Sequence, residues 1–204
     1  MELTELYARS VDLAAEVVDT VRPEHLELAT PCGDWTLRRL MGHIVGQHQG
    51  FAAAARGAGP DLALWADAPI DDDPPGAFRR TADDLKAAFV EAEVADRKLW
   101  LPEIRDGGPF PLHMAVGFQL VDTLVHGWDV AAALGSPSGI AAAVDGDPVL
   151  AEALLTVSEL VPAGPGNRGP ERAFRERRPQ GDAYGSFDRA LALLGRDPAW
   201  TPQN

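Results

Sequence analysis

Four polar residues share one face of an otherwise apolar helical stretch. In PLHMAVGFQLVDTLVHGWDVAAALG, projection at about 100° per residue places Gln119, Asp122, His126 and Asp129 in a single stripe. Val121, Leu124, Val125, Trp128 and Ala132 flank it on one side, and Val116, Leu120, Val130 and Leu134 on the other. A solvent-facing stripe of this length ordinarily carries long, flexible Glu, Lys or Arg side chains. This one carries short carboxylates, an amide and an imidazole. Asp122 and His126 stand one turn apart, a spacing at which a carboxylate oxygen and an imidazole nitrogen can coordinate one cation. The same spacing suits a hydrogen-bonded structural pair, so this helix alone leaves both readings open.

His43 lies well inside an earlier helix, beside apolar Leu40 and Ile44. A buried histidine with one satisfied hydrogen bond is one explanation. The other is a ligand, because bundle metal sites are built from side chains of facing helices. His43, Asp122 and His126 together would make a set of three protein ligands with positions left for water or substrate. An ion so held can lower the pKa of bound water or bind a thiolate and present it as a nucleophile. A purely structural ion would normally be closed off by four protein ligands. An enzyme acting on a small molecule is therefore expected, with a non-catalytic metal- or ligand-binding protein as the alternative.

Other residues have weaker claims. Asp129 suits a supporting partner for His126, or a helix or loop hydrogen bond. Gln47, four after His43, suits a pocket wall or a solvated position. His48 falls about 140° off the face of His43 and reads as surface or packing. His25 and His113 have no partner at ligand spacing. Cys32, the single cysteine, excludes an internal disulfide and reads as a small buried residue. Trp35 and Trp128 read as core anchors, and Arg38 and Arg39 as solvated first-turn residues.

The elements that must position these residues read as helices. The first covers residues 2–21, with Leu3, Leu6, Leu13, Val17 and Val21 on one face and Pro23 beyond it. The second begins after Thr36 as N-cap and carries Leu37, Leu40, Ile44 and Phe51. A Gly/Pro/Asp-rich stretch, 57–76, reads as a loop placed to cover something. The third helix is expected over 77–99 and the fourth over 112–134, stopped by Gly135. Asp147 and Pro148 open a fifth, to residue 160. A last short helix, SFDRALALLG, is expected to be capped by Ser186 and ended by Gly195. The fold class is all-α: a four-helix bundle with a long crossover and a short loop-rich C-terminal extension. Residues 1–160 are expected to form the metal-binding bundle, and 161–204 a tail with one short helix packed on it.

A formal net charge of -13 repels nucleic acid, so no nucleic-acid partner is expected. The basic cluster of Arg168, Arg172, Arg175, Arg177 and Arg178 reads as a solvated loop. The chain has no apolar run long enough to span a membrane and no signal-peptide pattern at its start, so a cytoplasmic location is expected.

The strings TPCGDWTLRRLMGH, HGWDVAAALG and SFDRALALLGRDP together resemble the DinB-like metal-binding superfamily. Within it they resemble the branch containing the N-terminal domain of mycothiol-dependent maleylpyruvate isomerases. The resemblance implies a divalent ion, zinc or nickel, held by a second-helix histidine matching His43 and by a pair four apart on a later helix matching Asp122 and His126. That branch has Glu where this chain has Asp122, one methylene shorter, which implies a shifted or looser ion. The resemblance also implies mycothiol as cosubstrate, in a transfer or isomerisation. A short tail stands where the isomerase carries a further domain, so maleylpyruvate itself is not the expected substrate. Some relatives pair as homodimers, and the apolar first helix offers a face for that.

Overall fold

The computed structural model describes residues 3–104, 108–163, 168–169 and 174–202. Four long helices, α1 (Leu3–Val18), α2 (Leu37–Ala55), α3 (Pro74–Val94) and α4 (Leu112–Ala133), form a bundle. α1 packs mainly on α4 and α3, and α2 on α3 and α4, so α1 and α2 stand at opposite corners. The 19–36 link therefore crosses the bundle. Between α3 and α4 a two-stranded antiparallel ribbon, β1 (Lys98–Leu99) with β2 (Phe110–Pro111), closes one end. Short helices α5 (Ser138–Asp145), α6 (Pro148–Leu160) and α7 (Ser186–Leu193) complete the fold, with α7 packed on α5 and α6.

Local chemistry sets these boundaries. Thr36 caps α2 by accepting from the Arg39 amide, and Asp147 caps α6 by accepting from Leu150, with Pro148 at the first position. The same Asp-Pro device opens α3 earlier than expected: Asp73 accepts from Gly76 and Pro74 begins the helix. That helix also stops short of residue 99. Asp96 takes a positive φ of 45°, and Leu99 leaves to pair in the ribbon. α1 likewise ends at Val18 rather than at 21, where Thr20 turns its hydroxyl to the Val17 carbonyl. Ser186 is the first residue of α7, not its cap. Gly185 holds the cap position, and Asp145 of α5 accepts from the Phe187 amide.

The 57–76 segment, expected as a loop, contains a short 3-10 turn, Leu62–Trp65, and lies along α2. Gly42, Gly46 and Gly50 form a row on α2, and a Cβ on any of them would collide with the Ala68 carbonyl, the Ala66 carbonyl or the Trp65 ring. That close approach fixes the segment beside His43. In the C-terminal region, Arg168 is buried rather than solvated. Its guanidinium donates to the carbonyls of Val161, Pro162, Arg175 and Leu193. Arg178 pairs with Asp197, and Arg177 donates to the Val161 carbonyl. Arg172 of the same basic cluster lies outside the described residues. Among the described residues, no helix is long and apolar enough to cross a membrane.

Candidate metal centre

α2 and α4 bring His43, Asp122 and His126 to one point, with a potential ligand atom of each within 4.8 Å of the others. Asp122 Oδ1 lies 3.3 Å from His126 Nε2. The His43 and His126 rings meet edge to face, 5.3 Å between centroids. His126 is buried, while the side chains of His43 and Asp122 keep 21% and 24% of their surface, so the cluster can be reached from solvent.

The far side of His126 decides its tautomer. Nδ1 lies 2.9 Å from Asp129 Oδ2. Asp129 is fully buried and gripped by Arg196, whose Nε donates to Oδ1 at 3.0 Å and whose Nη2 donates to Oδ2 at 3.0 Å. The Cys32 thiol donates to the same Oδ2 at 3.1 Å. A carboxylate so surrounded is an acceptor only. Nδ1 must therefore carry hydrogen, and Nε2 is the nitrogen left to face Asp122 and His43.

The electrostatics follow from burial and pairing. Burial alone would raise the Asp129 carboxyl, but the Arg196 charge and the His126 hydrogen bond hold it well below the usual range. Burial would lower His126, yet the Asp122 charge and its hydrogen bonds raise it well above the ordinary histidine value. His43 moves the other way, lowered by burial and then by the His126 charge. Asp122 is lowered despite burial, chiefly by His126. Its Oδ2 is buried and meets no protein hydrogen-bond partner. Asp122 Oδ1 beside two imidazoles is a donor set that fits a divalent cation.

The mouth of the cluster is built by loops. Asp67, from the segment laid along α2, comes within 3.4 Å of His43 Nδ1 and 3.6 Å of Arg39 Nε. Arg39 stacks over Trp35 at 4.4 Å, and Trp35 meets the His43 ring edge at 5.0 Å. Trp35 is thus half-buried at the site rather than in the core, and Arg39 is engaged there rather than free in solvent. Arg38 points away, to Glu27 and the Ile70 carbonyl. Gln47 is buried and donates to Glu103 at 2.6 Å. Burial raises the Glu103 carboxyl, and the nearby Asp122 and Asp67 charges raise it further.

The sequence missed four of these contributors. Arg196 and Glu103 carry no local pattern. Asp67 sits in a loop that gives no sign of touching α2, except the glycine row beneath it. Cys32 is half-buried and hydrogen-bonded, not an inert filler. His48 is buried, with Nδ1 3.0 Å from Thr81 Oγ1. His25 accepts from the Arg22 amide in a turn, and His113 is exposed at the start of α4.

Residues 7–131 match the family described as the mycothiol maleylpyruvate isomerase N-terminal domain, a span containing all three clustered residues. Uncharacterized proteins from Mycobacterium tuberculosis strains CDC 1551 and H37Rv are each 30% identical over 198 residues, covering 93% of this chain and 95% of theirs. In fold, the chain is similar to mycothiol-dependent maleylpyruvate isomerase, with a TM-score of 0.53 at 13% identity. The match to a crystallised variant of that enzyme has a TM-score of 0.57 at 12% identity and covers 79% of this chain and 70% of that one. On the extent of the family match and of the mycobacterial relatives, this chain belongs to the mycothiol maleylpyruvate isomerase N-terminal domain family.

Proposed function

We propose that the protein holds one divalent ion, zinc or nickel, through His43, Asp122 and His126, and serves thiol-dependent transfer or isomerisation of a small molecule with mycothiol as cosubstrate. The observation that carries this reading is the locked tautomer of His126. Asp129 and Arg196 turn its Nε2 toward Asp122 Oδ1, 3.3 Å away, and a second imidazole. A bound ion of this kind supplies a Lewis acid that eases loss of a thiol proton at neutral pH.

The chain's own residues do the rest. Asp129 and Arg196 keep His126 oriented while the site fills and empties. Asp67 orients His43. Trp35 and Arg39 form a wall that is flat and cationic, suited to a polar, partly anionic thiol. Glu103, held by Gln47 and biased toward its neutral form, is placed to give or take a proton near the cluster. In this reading residues 1–160 are the metal-binding bundle, and the 161–204 tail contributes Arg196 from below.

Calorimetric titration of mycothiol into zinc-loaded and zinc-free protein tests the proposal. Binding is expected only with zinc present, and it should weaken on Arg39→Ala. Equal binding with and without the metal, or none at millimolar thiol, would reject the thiol reading.

A further inference from the structure

Behind Asp122, away from solvent, the bundle interior holds a polar layer that the metal cluster does not use. Tyr7 of α1, His48 of α2 and Gln119 and Thr123 of α4 are all at least nine-tenths buried. The Tyr7 hydroxyl, His48 Nε2, both amide atoms of Gln119, the Thr123 hydroxyl and Asp122 Oδ2 meet no protein hydrogen-bond partner. These groups are neighbours: Thr123, Gln119 and the Asp122 charge act on Tyr7, and the Asp122 charge acts on His48. Leaving a buried polar atom unsatisfied costs about 1–3 kcal/mol; Tyr7, Thr123 and Gln119 are near enough to serve one another in part, and His48 Nε2 and Asp122 Oδ2 are left to be satisfied.

The hydrogen count identifies the ligand that suits them. Thr81 Oγ1 lies 3.0 Å from the Ala77 carbonyl and 3.1 Å from that of Phe78, and its single hydrogen is used there. It can only accept from His48 Nδ1, 3.0 Å away, which places the His48 hydrogen on Nδ1. Burial lowers the His48 pKa to about 4, so the ring is neutral at pH 7 and Nε2 is a bare acceptor. Asp122 Oδ2 is also a bare acceptor. Two acceptors cannot bond to each other, and none of the layer's own donors, the Tyr7 and Thr123 hydroxyls and the Gln119 amide, is set on either one, so a molecule with two hydrogens to donate suits the layer.

We propose that Tyr7, His48, Gln119 and Thr123 enclose ordered water bound to Asp122 Oδ2, and that His48 acts through it as a positioning residue that leaves Asp122 Oδ1 directed at the cation site. The first half stands on the buried atoms alone. The second rests on the metal reading above.

Two measurements test it. A crystal structure of the metal-free protein at about 1.2 Å should show water within hydrogen-bond distance of His48 Nε2 and of Asp122 Oδ2. A dry layer, with the side chains bonded directly to one another, overturns the proposal. Zinc titration should show His48→Leu binding about 10–100-fold more weakly than the parent. His48→Gln, which keeps a polar atom where Nε2 stands, should recover most of the loss. A His48→Leu protein that melts as a folded chain and binds zinc within about twofold of the parent overturns the positioning role. If His48→Leu does not fold, Tyr7→Phe replaces it, with a weaker-binding result expected on the same grounds. A parent that takes no zinc overturns the metal reading and the positioning role together, and the crystal structure still decides the water.

Discussion

The two nitrogens of His126 face opposite kinds of surroundings. On the Nδ1 side, Asp129, Arg196 and Cys32 satisfy one another with short hydrogen bonds in a closed interior. On the Nε2 side, Asp122 and His43 stay partly exposed, and Asp122 Oδ1 stands 3.3 Å from the ring nitrogen. Both sides hold a carboxylate next to the same imidazole, so residue type does not distinguish them. The cation does. Arg196 supplies a permanent positive charge to Asp129, whereas Asp122 has beside it the titratable imidazoles of His126 and His43. A buried carboxylate with a built-in guanidinium is scaffold, and the partly exposed one without is where the proposed cation would sit.

Removing the built-in cation should have the largest effect. Arg196→Ala leaves Asp129 charged in a closed interior and is expected to cost about 3–5 kcal/mol of stability, read by urea denaturation. A loss under about 1 kcal/mol would mean water replaces the guanidinium, and the Nδ1 side is not the closed scaffold described. Asp129→Asn should act next, through tautomer control. An amide in that place can donate as well as accept, so zinc affinity should fall about 10–100-fold while the fold persists. Unchanged affinity would show that His126 keeps its orientation without the carboxylate.

The pH dependence separates the two sides further. Asp129 is depressed in the folded state, so its contribution is present above the unfolded carboxylate value near about 4 and is lost as pH falls through its folded value. His126 is raised, so its contribution is present below about 6.5 and is lost as pH rises through its folded value. The metal-free protein should therefore lose stability on both acid and alkaline flanks. Zinc, which takes the place of the Nε2 proton, should flatten only the alkaline flank. Denaturation midpoints across a pH series check this, and an alkaline flank insensitive to zinc would contradict it. The smallest effect belongs to Cys32→Ala, which removes one neutral hydrogen bond of four at Asp129 Oδ2. About 1 kcal/mol or less is expected in the same denaturation assay, with zinc uptake intact. Loss of zinc uptake in that variant would make Cys32 part of the ion's own shell.

Much of this was legible in the sequence because helices write their faces at a fixed period. The α4 stripe could be read from Gln119 to Asp129, and its Asp122–His126 step is a matter of spacing along one helix. The period put Asp129 on the face of His126 but left its partner open, and the structure resolves it as His126 Nδ1. Arg196 could not be found this way, since its contact with Asp129 spans 67 residues of chain and nothing around it repeats. α5 was missed because it is only eight residues long, has no side-chain cap and buries just two apolar residues, Ile140 and Val144, too few to show a period. The start of α3 was in view, because Asp73 and Pro74 carry the same signal that located α6. The Gly42, Gly46 and Gly50 row leaves room for a close backbone approach, but nothing in the row itself names the segment carrying Asp67 as what fills it.

The most direct measurement is elemental mass spectrometry on protein purified without an affinity metal column, for the parent and for His126→Ala. About one zinc or nickel per chain in the parent, lost in the variant while its helical signal is retained, is the expected result. A parent that carries no zinc or nickel, even after incubation with either, would contradict the assignment and leave His43, Asp122 and His126 as a hydrogen-bonded structural cluster.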